Sequence, residues 1–204
     1  MMGISDFSPQ EAESNYIFHA SRWWPESDSL VNSVRRRFVE VCVADPDIRF
    51  EGGFAPGKDA MALPEHLLAQ RYSARDYLSR TARSALVFNA PAVHGCFGWK
   101  LPEYLALGKP IISLPLSHEL PAPLVHGEHI HYVPDADSLA LAVRELMSDK
   151  AYRDHLGKGS RDYWEHHLTP ELVVRRMVAH AEKLVSERDP RTLLPPPPPR
   201  TTRF

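Results

Sequence analysis

The chain has 204 residues, 43% hydrophobic and 25% charged, and 24 Lys+Arg against 26 Asp+Glu leave a formal net charge of −2. That composition excludes a wholly disordered chain, and the balanced charge excludes a nucleic-acid binder driven by global basicity, since no cationic excess is there to release counterions. No window approaches the roughly 18 uninterrupted apolar residues of a membrane span; the start, MMGISDFSPQEAESN, lacks the apolar region of a signal peptide; and Cys42 and Cys96 make neither a disulfide framework nor a four-thiolate site. The sequence reads as one reduced, cytoplasmic domain.

In chain order, 1–15 is polar and aperiodic and reads as a loose leader. Tyr16–His19 is a predicted strand, and 27–44 a helix with Leu30, Val34, Phe38, Val41 and Cys42 at helical spacing. Within it, Arg35-Arg36-Arg37 reads as a solvated face. Asp47–Phe50 is a second strand, stopped by Gly52-Gly53. Ser73 caps a helix to about Arg83, and Ala85–Asn89 is a buried strand. Leu101–Leu107 is a short helix with Pro102 in its first turn and Gly108 as its stop. Strands follow at Pro110–Leu114 and His129–Val133, then helices at 136–148, 150–167 with a break near Gly157, and 170–187. The remainder, 188–204, contains the run Pro195–Pro199, which favours polyproline II; it reads as a disordered proline-rich tail, or as a ligand for an SH3- or WW-type groove.

Alternation of apolar strands with helices predicts an α/β, Rossmann-like, doubly wound and mainly parallel sheet over 16–187. Ligands of such sheets bind outside the carboxyl ends of the strands. The densest candidate is Pro91 to Pro110: strand end, glycine-containing loop, helix, stop, strand. Gly95 and Gly98 allow close approach of a ligand to the backbone. The loop feeds a helix start suited to phosphate, where Lys100 adds a positive charge, and Glu103 can accept hydrogen bonds from vicinal hydroxyls such as those of a ribose. On spacing alone, a purely structural turn fits these residues as well.

The same residues resemble the nucleotide-sugar-binding domain of GT-B glycosyltransferases, in the retaining, group 1 (family 4-like) set with an E-x7-E motif. Phe97, Gly98, Glu103, Ala106, Gly108, Pro110, Ile111 and Ile112 keep the register of E-G-F-G-L-P-x-x-E-A-x-A-x-G-x-P-V-I, and Val125, Gly127, Val133, Asp135 to Asp137 and Leu139 to Val143 echo the pattern that follows it. The resemblance implies that Glu103 binds the ribose hydroxyls of a nucleotide-sugar donor. Gly95 stands where the motif has its first Glu, and His94 is the neighbouring polar substitute. The resemblance also implies that Phe97 to Lys100, with Trp99 in place of a leucine, hold phosphate or sugar oxygens. Arg22, after the first strand, is the counterpart of a diphosphate-binding Arg. The Lys expected after it is missing, so Lys100 takes over that charge.

The resemblance further implies a glycosyltransferase that needs no obligatory metal or other cofactor, with this chain supplying the donor half and an acceptor-binding domain or chain, or self-association, completing it. The alternative is a non-catalytic nucleotide- or nucleotide-sugar-binding module. Two features test what the loops do. His126, His129 and His131 have a spacing that a metal could use, or simply form a strand. Trp23, Trp24, Phe97, Trp99, Leu116 and Leu120 are expected as an exposed apolar wall facing a partner.

Overall fold

The computed structural model describes residues 7–24, 29–57, 60, 63–90, 96 and 98–187. Five strands and six α-helices follow one another as β1 (Tyr16–Ser21), α1 (Ser29–Ala44), β2 (Arg49–Phe54), α2 (Ala74–Arg83), β3 (Val87–Asn89), α3 (Lys100–Ala106), β4 (Ile111–Ser113), β5 (His131–Tyr132), α4 (Leu139–Ser148), α5 (Lys150–His167) and α6 (Pro170–Glu187), with a 3-10 turn at Glu65–Leu67. Every pairing between these strands is parallel: β1 with β2, Tyr16 opposite Arg49, and β3–β4–β5, with Val87 opposite Ile111 and Ile112 opposite His131. The fold class is the α/β, Rossmann-like one that the alternation predicts.

The two ladders meet along a seam between β1 and β3. There the Ala85 amide donates to the Tyr16 carbonyl at 2.7 Å. The Ser84 hydroxyl accepts from the Phe18 amide at 2.9 Å and donates to the Leu86 carbonyl at 2.6 Å. The strand order across the seam is β2-β1-β3-β4-β5, and the chain runs outward from the seam in both directions.

Successive residues of a strand face opposite sides, and both sides are covered. Phe88 and Ile112 join Ile17 in one core with Val34, Phe38 and Cys42 of α1 and Leu139 to Leu146 of α4. Their neighbours Val87 and Ile111 face a second core with Leu101, Tyr104 and Leu105 of α3 and Tyr163 of α5. The Ser73 hydroxyl caps α2 by accepting from the Asp76 amide. Gly108, at φ +60°, follows the end of α3 as a helix stop.

Four expectations need correction. β2 does not stop at Gly52-Gly53 but runs through them, at φ +126° and +121°. A Cβ on Gly52 would lie 2.0 Å from the His19 carbonyl oxygen, so glycine is what lets β2 close on β1 here. α5 is unbroken at Gly157. Its two glycines are close-approach points: a Cβ would meet the Gly108 oxygen at 2.7 Å from Gly157 and the Glu128 oxygen at 2.0 Å from Gly159. Residues 7–15 are tied down, since the Glu13 amide donates to the Arg83 carbonyl at 2.9 Å, its carboxylate pairs with Arg49 and Arg83, and Phe7 packs on Leu78, Ala82 and Leu107. Arg35 is buried, while Arg36 and Arg37 are exposed as a solvated face should be.

The chain divides after Leu168, and α6 belongs to the second unit. No helix among the described residues is long and apolar enough to cross a membrane. The proline tail 188–204 lies outside the described residues. The glycines of α5 yield a test: Gly159→Ala should destabilise the domain by about 1–3 kcal/mol, the cost of overpacking, although alanine is the better helix former. Thermal denaturation checks it, and an unchanged or raised Tm would show that the helix can draw away from Glu128.

Candidate functional site

A cleft of about 730 Å³ opens at the carboxyl ends of β1 and β3, where the chain leaves the seam in opposite directions. This is the switch point at which doubly wound sheets bind ligands. Its floor is His19, Ala20 and Ser21 of β1 with Phe88 and Asn89 of β3. α1 contributes Arg35 to the wall, α2 contributes Tyr77, and the start of α3 brings Gly98, Trp99, Lys100 and Glu103. Arg22 and Trp24 form the mouth, the Arg22 guanidinium carbon lying 4.7 Å over the Trp24 ring.

Of the residues singled out from the sequence, Glu103, Arg22, Lys100, Gly98 and Trp99 therefore line one cleft. His94 and Phe97 lie outside the described residues. Lys100 is the first residue of α3, and its ammonium donates to the Ala20 carbonyl, tying α3 to the end of β1. Glu103 lies one turn further on. Trp99 is 63% exposed and stands 5.6 Å, centroid to centroid, from Tyr77.

Burial dominates the electrostatics. It pushes Lys100 down to about 7; the neighbouring Arg35 adds to this and Glu103 opposes it. It pushes Glu103 up to about 7, with Lys100 opposing. His19 is fully buried and held well below its ordinary value, first by burial and then by Lys100 and Arg35, so its imidazole is neutral. Buried polar atoms in folded proteins are nearly always paired. Among the described residues the side-chain exceptions are Nδ1 and Nε2 of His19, Oγ of Ser21 and Oε2 of Glu103, and all three residues line this cleft.

The sequence did not single out His19, Ser21, Arg35 or Tyr77. A signal for the first three existed in the periodicities. Ile17, His19 and Ser21 share one face of β1, and Arg35 falls on the buried face of α1 with Val31, Val34 and Phe38.

The other candidates have structural roles. His126 Nδ1 accepts from the Tyr132 amide, His129 Nδ1 accepts from the Val125 amide, and His131 Nδ1 lies 3.0 Å from the Tyr152 hydroxyl. The apolar wall is smaller than expected. Trp23 packs edge-on to Phe54 at 5.0 Å, and Leu116 and Leu120 pack on the second core, which leaves Trp24 and Trp99 exposed. A second hollow, of about 440 Å³, lies at the amino ends of the strands beside Lys109, Arg153 and Arg161. Their side chains are engaged: Lys109 donates to the Ala82 carbonyl, Arg153 to those of Leu146 and Met147, and Arg161 to that of Ala106.

Solved structures share this architecture at low sequence identity. Sucrose-phosphate synthase from Thermosynechococcus elongatus aligns over 92% of this chain and 52% of its own, with 17% identity and a TM-score of 0.65. The C-terminal domain of LpcC, a group 1 glycosyl transferase family protein from Francisella tularensis, aligns over 83% of this chain and 100% of its own, with 11% identity and a TM-score of 0.62. Anabaena Alr3699/HepE in complex with UDP aligns over 91% of this chain and 56% of its own, with 15% identity and a TM-score of 0.61. The chain thus has the fold of the C-terminal half of a GT-B glycosyltransferase. It spans about half the length of the sucrose-phosphate synthase and HepE chains. No family model matches the chain, and no curated protein matches it in sequence.

The two shifted groups in the cleft fix the sign of a pH dependence. Lys100 titrates at about 7 in the fold against an ordinary 10.5, so between these values the unfolded chain holds more protons and stability rises with pH. Glu103 titrates at about 7 against an ordinary 4.5, so its contribution is full below 4.5 and is lost as pH rises through 7. Wild type should therefore gain Tm relative to Lys100→Met from pH 7 toward 10.5, and lose Tm relative to Glu103→Gln from pH 4.5 to 7. Parallel Tm–pH curves for wild type and Lys100→Met would show that Lys100 is solvated.

Proposed function

We propose that this chain is the donor-binding half of a glycosyltransferase and that the cleft at the seam takes a nucleotide-sugar. The observation that carries this reading is that the orphaned buried polar side-chain atoms among the described residues, on His19, Ser21 and Glu103, all line that one cleft. A ligand with hydroxyls and phosphates supplies partners for such groups, and HepE, which shares the fold, has been solved with UDP and with UDP-glucose.

In this reading Glu103 accepts hydrogen bonds from the ribose hydroxyls. Gly98, with no side chain, allows the sugar or phosphate oxygens close to the backbone, and Trp99 borders them. Cationic groups of the cleft face the diphosphate, with Arg22 at its mouth. Phe97 and His94 belong to the same loop in sequence and are proposed as further contacts. In transfer, the bond between the anomeric carbon and the diphosphate oxygen breaks, the leaving diphosphate keeps the electron pair, and the acceptor hydroxyl oxygen bonds to that carbon and gives up its proton. Positive charge fixed at the leaving group is what the chain contributes to this step. The acceptor is held by a further domain or chain, or by a second copy of this one.

A second reading, a binding module without transferase activity, is favoured by Gly95, which places no carboxylate where the E-x7-E motif has its first Glu. Donor turnover with a panel of acceptors separates the two. Binding itself is tested by thermal shift with UDP-, GDP-, ADP- and TDP-sugars, since a ligand of the folded state raises Tm. One of these should stabilise wild type, and Glu103→Ala should weaken its binding by about 1–3 kcal/mol, the scale of a lost charged hydrogen bond. Undiminished affinity in folded Glu103→Ala would remove Glu103 from the site.

A further inference from the structure

Among the described residues, α6 is the one α-helix with no buried residue, and every position over 174–187 is exposed. The helix is nonetheless not polar all round. Val174, Met177, Val178, Leu184 and Val185 are between 45% and 73% exposed. At about 100° per residue, they and Ala181 fall on one side of the helix. Helices of this length draw most of their stability from an apolar face packed against something, and an apolar stripe left in water marks a partner surface.

The spacing points to the partner. Val174, Val178, Ala181 and Val185 recur at intervals of four, three and four residues, the seam of a two-stranded helix pair. Arg175 and Glu182 follow Val174 and Ala181 along one border of that seam, and Met177 and Leu184 precede Val178 and Val185 along the other. When a second α6 is laid against the first end for end, Val174 meets Val185 of the second copy and Val178 meets its Ala181. Arg175 then faces Glu182 of the second copy, Glu182 faces its Arg175, and Met177 lies beside its Leu184. In a parallel pair the charged border faces the apolar one instead. Charge on charge and apolar on apolar are therefore matched in the antiparallel orientation. Neither Arg175 nor Glu182 makes an ion pair with a described residue of its own chain.

We infer that α6 is a self-association surface, on which two copies of this chain pair antiparallel through the apolar stripe and close one border with reciprocal Arg175–Glu182 ion pairs. The occupant is a second copy because the seam and both of its borders complement themselves when one helix is turned end for end. The stripe is short and the ion pairs lie at the surface, so the association is modest and depends on concentration. The inference is independent of the nucleotide-sugar reading, since it involves neither the cleft nor its ligand.

The experiment is the molecular mass of the full chain against concentration, by light scattering and sedimentation. Wild type should pass from the single-chain mass toward twice that mass as concentration rises. Val178→Glu, at the centre of the seam, should raise the dimer dissociation constant at least about tenfold, since each pair loses two buried valines. Arg175→Glu sets carboxylate against carboxylate twice per pair and should raise it about threefold to tenfold. Combining Arg175→Glu with Glu182→Arg should bring it back to the wild-type value. All three positions are exposed in the single chain, so the domain keeps its fold, which circular dichroism checks. A wild type that holds the single-chain mass at every concentration overturns the inference. So does undiminished dimerisation in Val178→Glu, which would put the contact elsewhere on the chain. A double swap no better than Arg175→Glu overturns the antiparallel arrangement, and these two variants decide if Val178→Glu does not fold. A dimer that forms only once 188–204 is deleted would show that the chain's own tail covers the stripe, and overturns the inference as well.

Discussion

The two strand ladders meet where β1 passes β3, and everything at the cleft depends on how that seam is held. A parallel ladder between neighbouring strands would supply a regular row of amide-to-carbonyl bonds. Here the Tyr16 carbonyl, the Ser84 hydroxyl and the Lys100 ammonium on Ala20 span the gap. Lys100 is the member that also sets the site. By reaching from the first residue of α3 to the end of β1 it fixes where α3 starts, and so where Glu103, one turn later, stands relative to His19 and Ser21.

That arrangement is costly in isolation. A buried ammonium, a buried guanidinium and an uncharged imidazole share a space with a carboxyl pushed up to about 7. The hydrophobic cores on either side of the sheet, built from Ile17, Phe38, Phe88 and Ile112 on one face and Val87, Leu101, Tyr104 and Ile111 on the other, hold these groups in place despite their mutual strain. Polar groups kept without partners by a rigid frame are a common mark of a binding site, because the frame has met the cost of orienting them before the ligand arrives.

How much of this was legible in the sequence follows from the range of the forces involved. Short-range chemistry was readable: Ser73 as a cap, Gly108 as a helix stop, and Gly98, Lys100 and Glu103 as one local cluster all depend on neighbours a few residues away. Glycine misleads where its cause is distant. Gly157 looks like a helix break in sequence, yet the helix needs it because the Gly108 carbonyl approaches from another part of the fold. Gly52 looks like the end of a strand, yet it is where β1 comes too close for a side chain. Arg35 was lost for a related reason. Three adjacent arginines suggest solvent, and only the placement of α1 against the sheet turns one of them inward.

Ser84 carries a consequence of its own. At the seam a side-chain hydroxyl, rather than a peptide carbonyl, accepts from the Phe18 amide, and it donates in turn to the Leu86 carbonyl. Ser84 is fully buried, and the Ala85 amide on the Tyr16 carbonyl crosses the same line, so one serine supplies both an acceptor and a donor where the ladder has no carbonyl to offer. The seam is therefore tied near its amino end by backbone and hydroxyl and at its carboxyl end by Lys100 on Ala20, and the cleft opens between margins that are held to one another.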